Sequence, residues 1–278
     1  MRYIELKDGS VYKFENMKVM GILNATDNSF YPTSRVNSVE NAVDRAMKMI
    51  EDGADILDIG GESTRPGSDP VSVEKEVDRV VPVIEGIRKK NKDILISVDT
   101  YRSRTAEEAI KAGADIINDI SAMTFDENMA DVVKKYNVPI ILMHIKGTPK
   151  NMQKDPHYDD VVKEVGAFFT ERIEYAKGKG IKQEKIILDP GIGFGKNFEH
   201  NMELIRKIDS FFVFDLPILL AVSRKSSIGE ALGGLPVDER LEGTMAISCY
   251  AAMKDVDMIR VHDVLENKRA IKMIEVLK

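Results

Sequence analysis

Glu51-Asp52-Gly53-Ala54-Asp55-Ile56-Leu57-Asp58-Ile59 reads as a helix end, a glycine stop, a short turn and the start of a strand. The same step returns as Lys111-Ala112-Gly113-Ala114-Asp115-Ile116-Ile117-Asn118-Asp119. Glycine suits the residue just past a helix because it enters the left-handed region without a Cβ clash. A repeated helix-to-strand step implies parallel strands joined by helical crossovers. Outward from these stretches the pattern covers the chain, with strand candidates at 19–25, 56–61, 94–100, 116–121, 139–145, 185–190, 217–223 and 258–263. Each is nearly continuously apolar over its first residues, as expected of a strand buried on both faces. Helical patterns stand between them at 39–51, 105–111, 161–177 and 242–253, the first with Ala42, Val43, Ala46, Met49 and Ile50 on one side.

Eight such units in 278 residues suit a closed (β/α)8 barrel, an α/β fold that takes roughly 250 residues. An open doubly wound sheet is the other choice, but no Gly-x-Gly-x-x-Gly follows the first strand. Lys7-Asp8-Gly9-Ser10 between two alternating runs predicts a β-hairpin over residues 1–17, capping the barrel floor. No linker or low-complexity stretch divides the chain, so one domain over 1–278 is expected. Hydrophobic residues at 43% supply a core and exclude global disorder. Forty Lys and Arg against 46 Asp and Glu, a formal charge of −6, argue against nucleic-acid or anionic-membrane partners. Cys249 stands alone, so neither an intrachain disulfide nor a cysteine zinc site can form. Met1-Arg2-Tyr3-Ile4-Glu5 lacks the apolar core of a signal peptide, and the longest apolar runs fall short of the ~20 residues of a membrane helix. A cytoplasmic location is expected.

In such a barrel the chemistry lies at the C-terminal ends of the strands. Those ends carry Asn24, Gly60-Gly61-Glu62, Asp99, Asn118-Asp119, His144, Asp189, Ser223-Arg224-Lys225, and Arg260 with His262. Asp99, Asn118 and Asp189 offer acceptors and one amide, which suit a flat nitrogen-rich heterocycle donating several N–H bonds. Lys225, Arg260 and Arg65 supply positive charge for a phosphate-like group or a carboxylate. Two polar loops, Thr26–Arg35 and Glu62–Pro70, are candidate lids. Lys225 and Ser226, at the start of a short helix, form a candidate anion site. There is no Gly-x-Ser-x-Gly elbow, no His-x-x-x-His pair and no Walker A motif.

These motifs resemble bacterial-type dihydropteroate synthases over nearly the whole chain. The resemblance is carried by Val19-Met20-Gly21-Ile22-Leu23-Asn24, Asp58-Ile59-Gly60-Gly61-Glu62-Ser63-Thr64-Arg65-Pro66-Gly67, Ser97-Val98-Asp99-Thr100 and Ile117-Asn118-Asp119. Leu142-Met143-His144, Leu188-Asp189-Pro190-Gly191-Ile192-Gly193-Phe194-Gly195-Lys196, Ser223-Arg224-Lys225-Ser226 and Arg260-Val261-His262-Asp263 extend it. It implies an alkyl/aryl transferase that condenses 6-hydroxymethyl-7,8-dihydropterin diphosphate with 4-aminobenzoate. By matching positions, Asp99, Asn118, Met143, Asp189, Lys225 and Arg260 would hold the pterin. Asn24, Thr64, Arg65, Arg260 and His262 would take the diphosphate, Asn24 through Mg²⁺. Phe194, Lys225 and Ser226 would frame 4-aminobenzoate, and the family implies a homodimer.

One loop departs from the family. Thr26-Asp27-Asn28-Ser29-Phe30 stands where Thr-Pro-Asp-Ser-Phe is usual. Either Asp27 takes over the catalytic part of that acid beside Asn28, through a shifted backbone, or activity is altered. Two other readings share the pterin cradle: a barrel moving a methyl group from methyltetrahydrofolate to a corrinoid protein, and a non-catalytic pterin-binding module.

Overall fold

Six of the seven helix-to-strand junctions turn on a residue with positive φ. Gly53, Gly113 and Gly180 serve at three of them, at 97°, 120° and 85°, and Asn137, Asp215 and Asp255 at three more, at 52°, 53° and 57°. The aspartate that follows has a second task. Asp55 accepts the Val19 N–H at 2.8 Å, Asp115 the Ile96 N–H at 3.0 Å and Asp257 the Ile218 N–H at 2.8 Å. In each case a carboxylate satisfies an amide near the start of a neighbouring strand, which burial would otherwise leave unpaired. The echo in the sequence is this requirement, met repeatedly.

The computed structural model describes residues 1–25 and 32–278, with the side chains of 32–37 left aside. A hairpin of β1 (Tyr3–Glu5) and β2 (Val11–Lys13) comes first, turning at Gly9 with φ 83°. Eight parallel strands follow: β3 (Lys18–Asn24), β4 (Ile56–Gly60), β5 (Leu95–Asp99), β6 (Ile116–Asp119), β7 (Ile140–Met143), β8 (Ile186–Asp189), β9 (Leu219–Leu220) and β10 (Met258–Val261). They pair in the order β8-β7-β6-β5-β4-β3-β10-β9, and a parallel bridge from Leu188 to Ile218 joins the two ends. The sheet closes on itself as a (β/α)8 barrel. Around it lie α1 (Pro32–Glu51), α2 (Val73–Lys90), α3 (Ser103–Ala112), α4 (Met129–Tyr136), α5 (Val161–Gly178), α6 (Phe198–Arg206), α7 (Ser226–Ala231), α8 (Leu241–Met253) and α9 (Val264–Leu277). No described helix is long and apolar enough to cross a membrane.

Alternation along the strands splits the core in two. Leu57, Ile59, Ile96, Val98, Ile117, Ile140, Leu142, Ile186 and Leu188 face the helices. Met20, Ile56, Ile116, Ile141, Ile187, Leu219 and Met258 fill the lower barrel, where Ile4 and Phe14 of the hairpin pack on them as a plug.

Two expectations need correction. The first polar loop was expected to run to Arg35, yet α1 begins at Pro32. Proline fits a first helical turn because no partner awaits its missing N–H. The strand expected over 217–223 shrinks to Leu219–Leu220. Beyond it Ser223 bonds to His262, and Arg224 turns left-handed at φ 54°, leading the chain out of the ladder.

Phe169 on α5 is fully buried, edge-to-face with Phe211 at 5.4 Å and Phe214 at 6.0 Å. Phe169→Ala is expected to lower unfolding free energy by about 3–5 kcal/mol, measured by urea denaturation. A loss under about 1 kcal/mol would show that this packing contributes little.

Candidate active site

Period-two alternation carries the inward row of each strand from the apolar floor to a polar rim. On β4 it runs from Ile56 to Asp58, on β5 from Leu95 through Ser97 to Asp99, and on β6 from Ile116 to Asn118. On β7 it ends at Met143, on β8 at Asp189 and on β10 at Arg260. Register places Asp58 beside Ser97, Asp99 beside Asn118 and Met143 beside Asp189.

Arg260 sits among them. Its Nε donates to Asp58 Oδ2 at 2.5 Å and its Nη2 to Asp99 Oδ2 at 2.6 Å. Asn118 Nδ2 donates to the same Asp58 oxygen at 3.1 Å. Burial opposes the charge of Arg260, but Asp58 and Asp99 outweigh it and hold its pKa above the usual value. Burial drives the Asp99 carboxyl above the ordinary carboxylate range, against the pull of Arg260 and with Asp58 adding to the push. Asp58 Oδ1, Asn118 Oδ1 and Ser97 Oγ are buried without a hydrogen-bond partner among the described residues. Such atoms are costly to leave unmet, so they mark where a polar ligand belongs.

Asp189 and Lys225 complete the hollow. Burial raises the Asp189 pKa, with Lys225 opposing it. The Lys225 ammonium is lowered to about 8 by burial, held up by Asp189 and Asp99. Its Nζ donates to the Ile192 carbonyl and lies 4.6 Å from the centre of the Phe194 ring. Lys225 therefore turns inward from the helix start, while Ser226 is exposed there. Met143 packs with Ile120, Ile145 and Met152, and Phe194 and Tyr101 border that cluster. Gly191 has φ 66°, and a Cβ there would come within 1.9 Å of the His144 carbonyl, so only glycine allows this loop its path.

Around β3, between β4 and β10, the rim carries further polar groups. Asn24 is exposed at the end of β3, Thr64 is half-buried and Arg65 is exposed. His262 Nδ1 meets Ser223 Oγ at 2.9 Å, and the same oxygen accepts the His262 backbone N–H at 3.1 Å. We assign Nδ1 as the acceptor of the Ser223 hydroxyl, which satisfies both groups and leaves the ring proton on Nε2. Burial lowers the His262 pKa to about 4, helped by Arg260. The ring is thus a neutral Nε2–H donor near pH 7. Asp27 and Asn28 lie outside the described residues.

A family model described as "Pterin binding enzyme" matches residues 20–262. The dihydropteroate synthase of Clostridium beijerinckii is 48% identical over 264 residues, covering 95% of each chain. The solved Yersinia pestis dihydropteroate synthase, in complex with a sulfonamide drug, superposes with TM-score 0.91 at 40% identity, covering 99% of this chain and 98% of the other. The Xanthomonas albilineans dihydropteroate synthase with 4-aminobenzoic acid gives 0.90 at 38% identity, covering 99% and 97%. The chain belongs to the dihydropteroate synthase family.

The hollow of this family member contains two residues that stand within its motifs but were given no role there. Asp58, fully buried, pairs with both Arg260 and Asn118. The two echoing stretches held the signal, since Asp55-Ile56-Leu57-Asp58 aligns with Asp115-Ile116-Ile117-Asn118. Lys196 is buried as well, its Nζ 2.8 Å from His144 Nδ1 and 3.0 Å from the Gly191 and Phe194 carbonyls. It ties down the loop that carries Phe194. Asp119, in contrast, faces away and holds the next turn through Ser121 and Met123. Among the described residues no group of three or more His, Cys, Asp or Glu could hold a metal by itself. Mg²⁺ commonly takes one or two protein oxygens and fills its octahedron with water and substrate phosphate. A single exposed amide oxygen, as on Asn24, fits that mode.

Nitrogen-15 NMR of labelled histidine is expected to show His262 as the neutral Nε2–H tautomer from about pH 6 to about pH 8. Ser223→Ala is expected to mix the two tautomers. A pure Nδ1–H form in the unaltered chain would reverse the assignment.

Proposed function

We propose that this chain condenses 6-hydroxymethyl-7,8-dihydropterin diphosphate with 4-aminobenzoate, giving 7,8-dihydropteroate and diphosphate, by a dissociative substitution. The observation that carries the reading is the row of buried, unpartnered acceptors, Asp58 Oδ1 and Asn118 Oδ1, in one hollow with Asp99, Asp189, Lys225 and Arg260. A flat ring rich in N–H groups would satisfy them. Met143 would pack against its edge and Arg260 would lie over its face. The bound 4-aminobenzoic acid of the Xanthomonas albilineans relative supports an arylamine second substrate, framed here by Phe194, Lys225 and Ser226.

The chemistry follows from the charges. The arylamine nitrogen is neutral near pH 7 and needs no strong base. Breaking the bond between the pterin methylene and the diphosphate oxygen is the demanding step, and its electron pair leaves with diphosphate. Arg65, Arg260, Thr64 and the Nε2–H of His262 are donors for the charge that develops there. Asn24 would hold Mg²⁺, which supplies further neutralisation of the diphosphate oxygens. Asp99 and Asp189 favour the positive charge left on the pterin methylene. The arylamine then forms the C–N bond and loses its proton to water.

Asp27 or Asn28 would complete the site from the first loop. The exposed apolar side chains of Met253 on α8 and of Val276 and Leu277 on α9 support assembly as a homodimer.

A coupled assay is expected to show diphosphate release only when both substrates are present. Release without 4-aminobenzoate, or pterin binding with no turnover, would replace the synthase reading with a hydrolase or a binding module. Arg65→Ala is expected to lower kcat by about 100-fold or more while leaving pterin binding largely intact; unchanged kinetics would remove Arg65 from the reacting end. Asp27→Ala is expected to lower kcat by about 10-fold or more. Full activity in that variant, with loss in Asn28→Ala, would move the first loop's catalytic part to Asn28.

A further inference from the structure

The segment bearing Arg65 is fastened at both ends by one buried ion network. Glu62, just past β4, accepts the Val71 N–H at 2.7 Å, so its side chain spans the base of the loop. Arg102, at the start of α3, donates through Nη2 to Glu62 Oε2 at 2.7 Å and to the Val71 carbonyl at 3.0 Å. Its Nη1 donates to Glu76 on α2 at 2.8 Å, and Thr105 holds the same Glu76 oxygen at 2.7 Å. The Tyr101 hydroxyl donates to Glu62 Oε1 at 2.7 Å, and the Arg102 guanidinium lies 4.4 Å from the centre of that ring. The side chains of Arg102, Glu62 and Glu76 are 13%, 6% and 1% exposed, so the network is shielded from water and salt. Gly61 lets α2 approach closely enough, since a Cβ there would meet Glu76 and Val80 at 3.0 Å.

Between the fastened ends the tethers to the rest of the described residues are few. The Gly67 N–H donates to the Pro149 carbonyl at 3.1 Å, and exposed Lys150 pairs with exposed Asp69 at 3.1 Å. Arg65 lies in this lightly held part. We propose that Arg102 is a positioning residue for Arg65: by holding Glu62 and Val71 together it fixes where the Arg65 guanidinium meets the departing diphosphate. The proposal rests on the diphosphate reading of Arg65. A misplacement of about 1 Å can cost about 100-fold in rate, so loosening the base of the loop reaches the chemistry without touching substrate.

A double-mutant cycle tests it. Arg102→Met is expected to lower kcat by about 10-fold or more, with the KM for 4-aminobenzoate changed less than about twofold. In an Arg65→Ala background the same change is expected to alter kcat by less than about twofold. Arg102→Lys, which keeps a buried cation but cannot reach Glu62, Glu76 and the Val71 carbonyl together, is expected to fall between and serves if the methionine variant does not fold. Additive losses, or unchanged kcat in both Arg102 variants, overturn the proposal. Hydrogen exchange reads the clamp without turnover: the Val71 amide of the unaltered chain is expected to exchange at least about 100-fold slower than a free amide. Exchange at the free rate also overturns it. An inactive unaltered chain sinks the synthase reading together with this one, whereas an active chain with additive losses sinks only this one.

Discussion

An arginine inside a barrel is costly unless its charge is met, and Arg260 is met by Asp58 on one side and Asp99 on the other. That bridge spans β10, β4 and β5, which with β3 are consecutive in the sheet and which the curvature of the barrel turns toward one another. It decides the character of the whole hollow. With Arg260 engaged by one oxygen of each carboxylate, Asp58 keeps its other oxygen buried and unpartnered, and Asn118, held by Asp58, is oriented with its carbonyl oxygen equally free. The cation thus sets the direction of the acceptors around it.

This polar layer is possible because the layer beneath is dry. The plug of Ile4 and Phe14 over Met20, Ile56, Ile141 and Met258 lets the barrel gain its stability low down, where burial of apolar surface is worth about 25 cal/mol per Å². The rim is then free to carry groups chosen for binding. Its own order comes from polar ties of a different kind: Lys196 on the carbonyls of the Phe194 loop, Ser223 on His262, and Arg102 on the base of the Arg65 segment. Each uses a side chain largely withdrawn from water to fix a loop that has little core of its own.

Much of the fold was legible because its cause is local. A glycine that must enter the left-handed region and an aspartate ahead of a strand are single residues acting on their own neighbourhood, and they recur. The strand ends bearing Asp99, Asn118, Asp189 and Arg260 could be read for the same reason. Asp58 was harder to see, since it lies inside an apolar run and two residues short of the strand's end. Glu62, Glu76 and Arg102 are commonplace on the surface of a helical protein, and nothing near them in sequence says that they meet. Pro32 reads as a loop residue by composition but starts a helix, where its missing N–H costs nothing.

The amino-acid order by itself determined the alternation of strand and helix, the number of units and the side of the barrel that is polar. These depend on side-chain period and on backbone preferences a few residues long. Only the closed tertiary structure decided which charges pair: Arg260 with Asp58 across 202 positions, Lys225 turned inward rather than toward the helix start, and Glu62 joined to Arg102 across 40. Pairing depends on distance and burial. Both are properties of the folded ring, in which residues far apart along the chain share one small volume withdrawn from water.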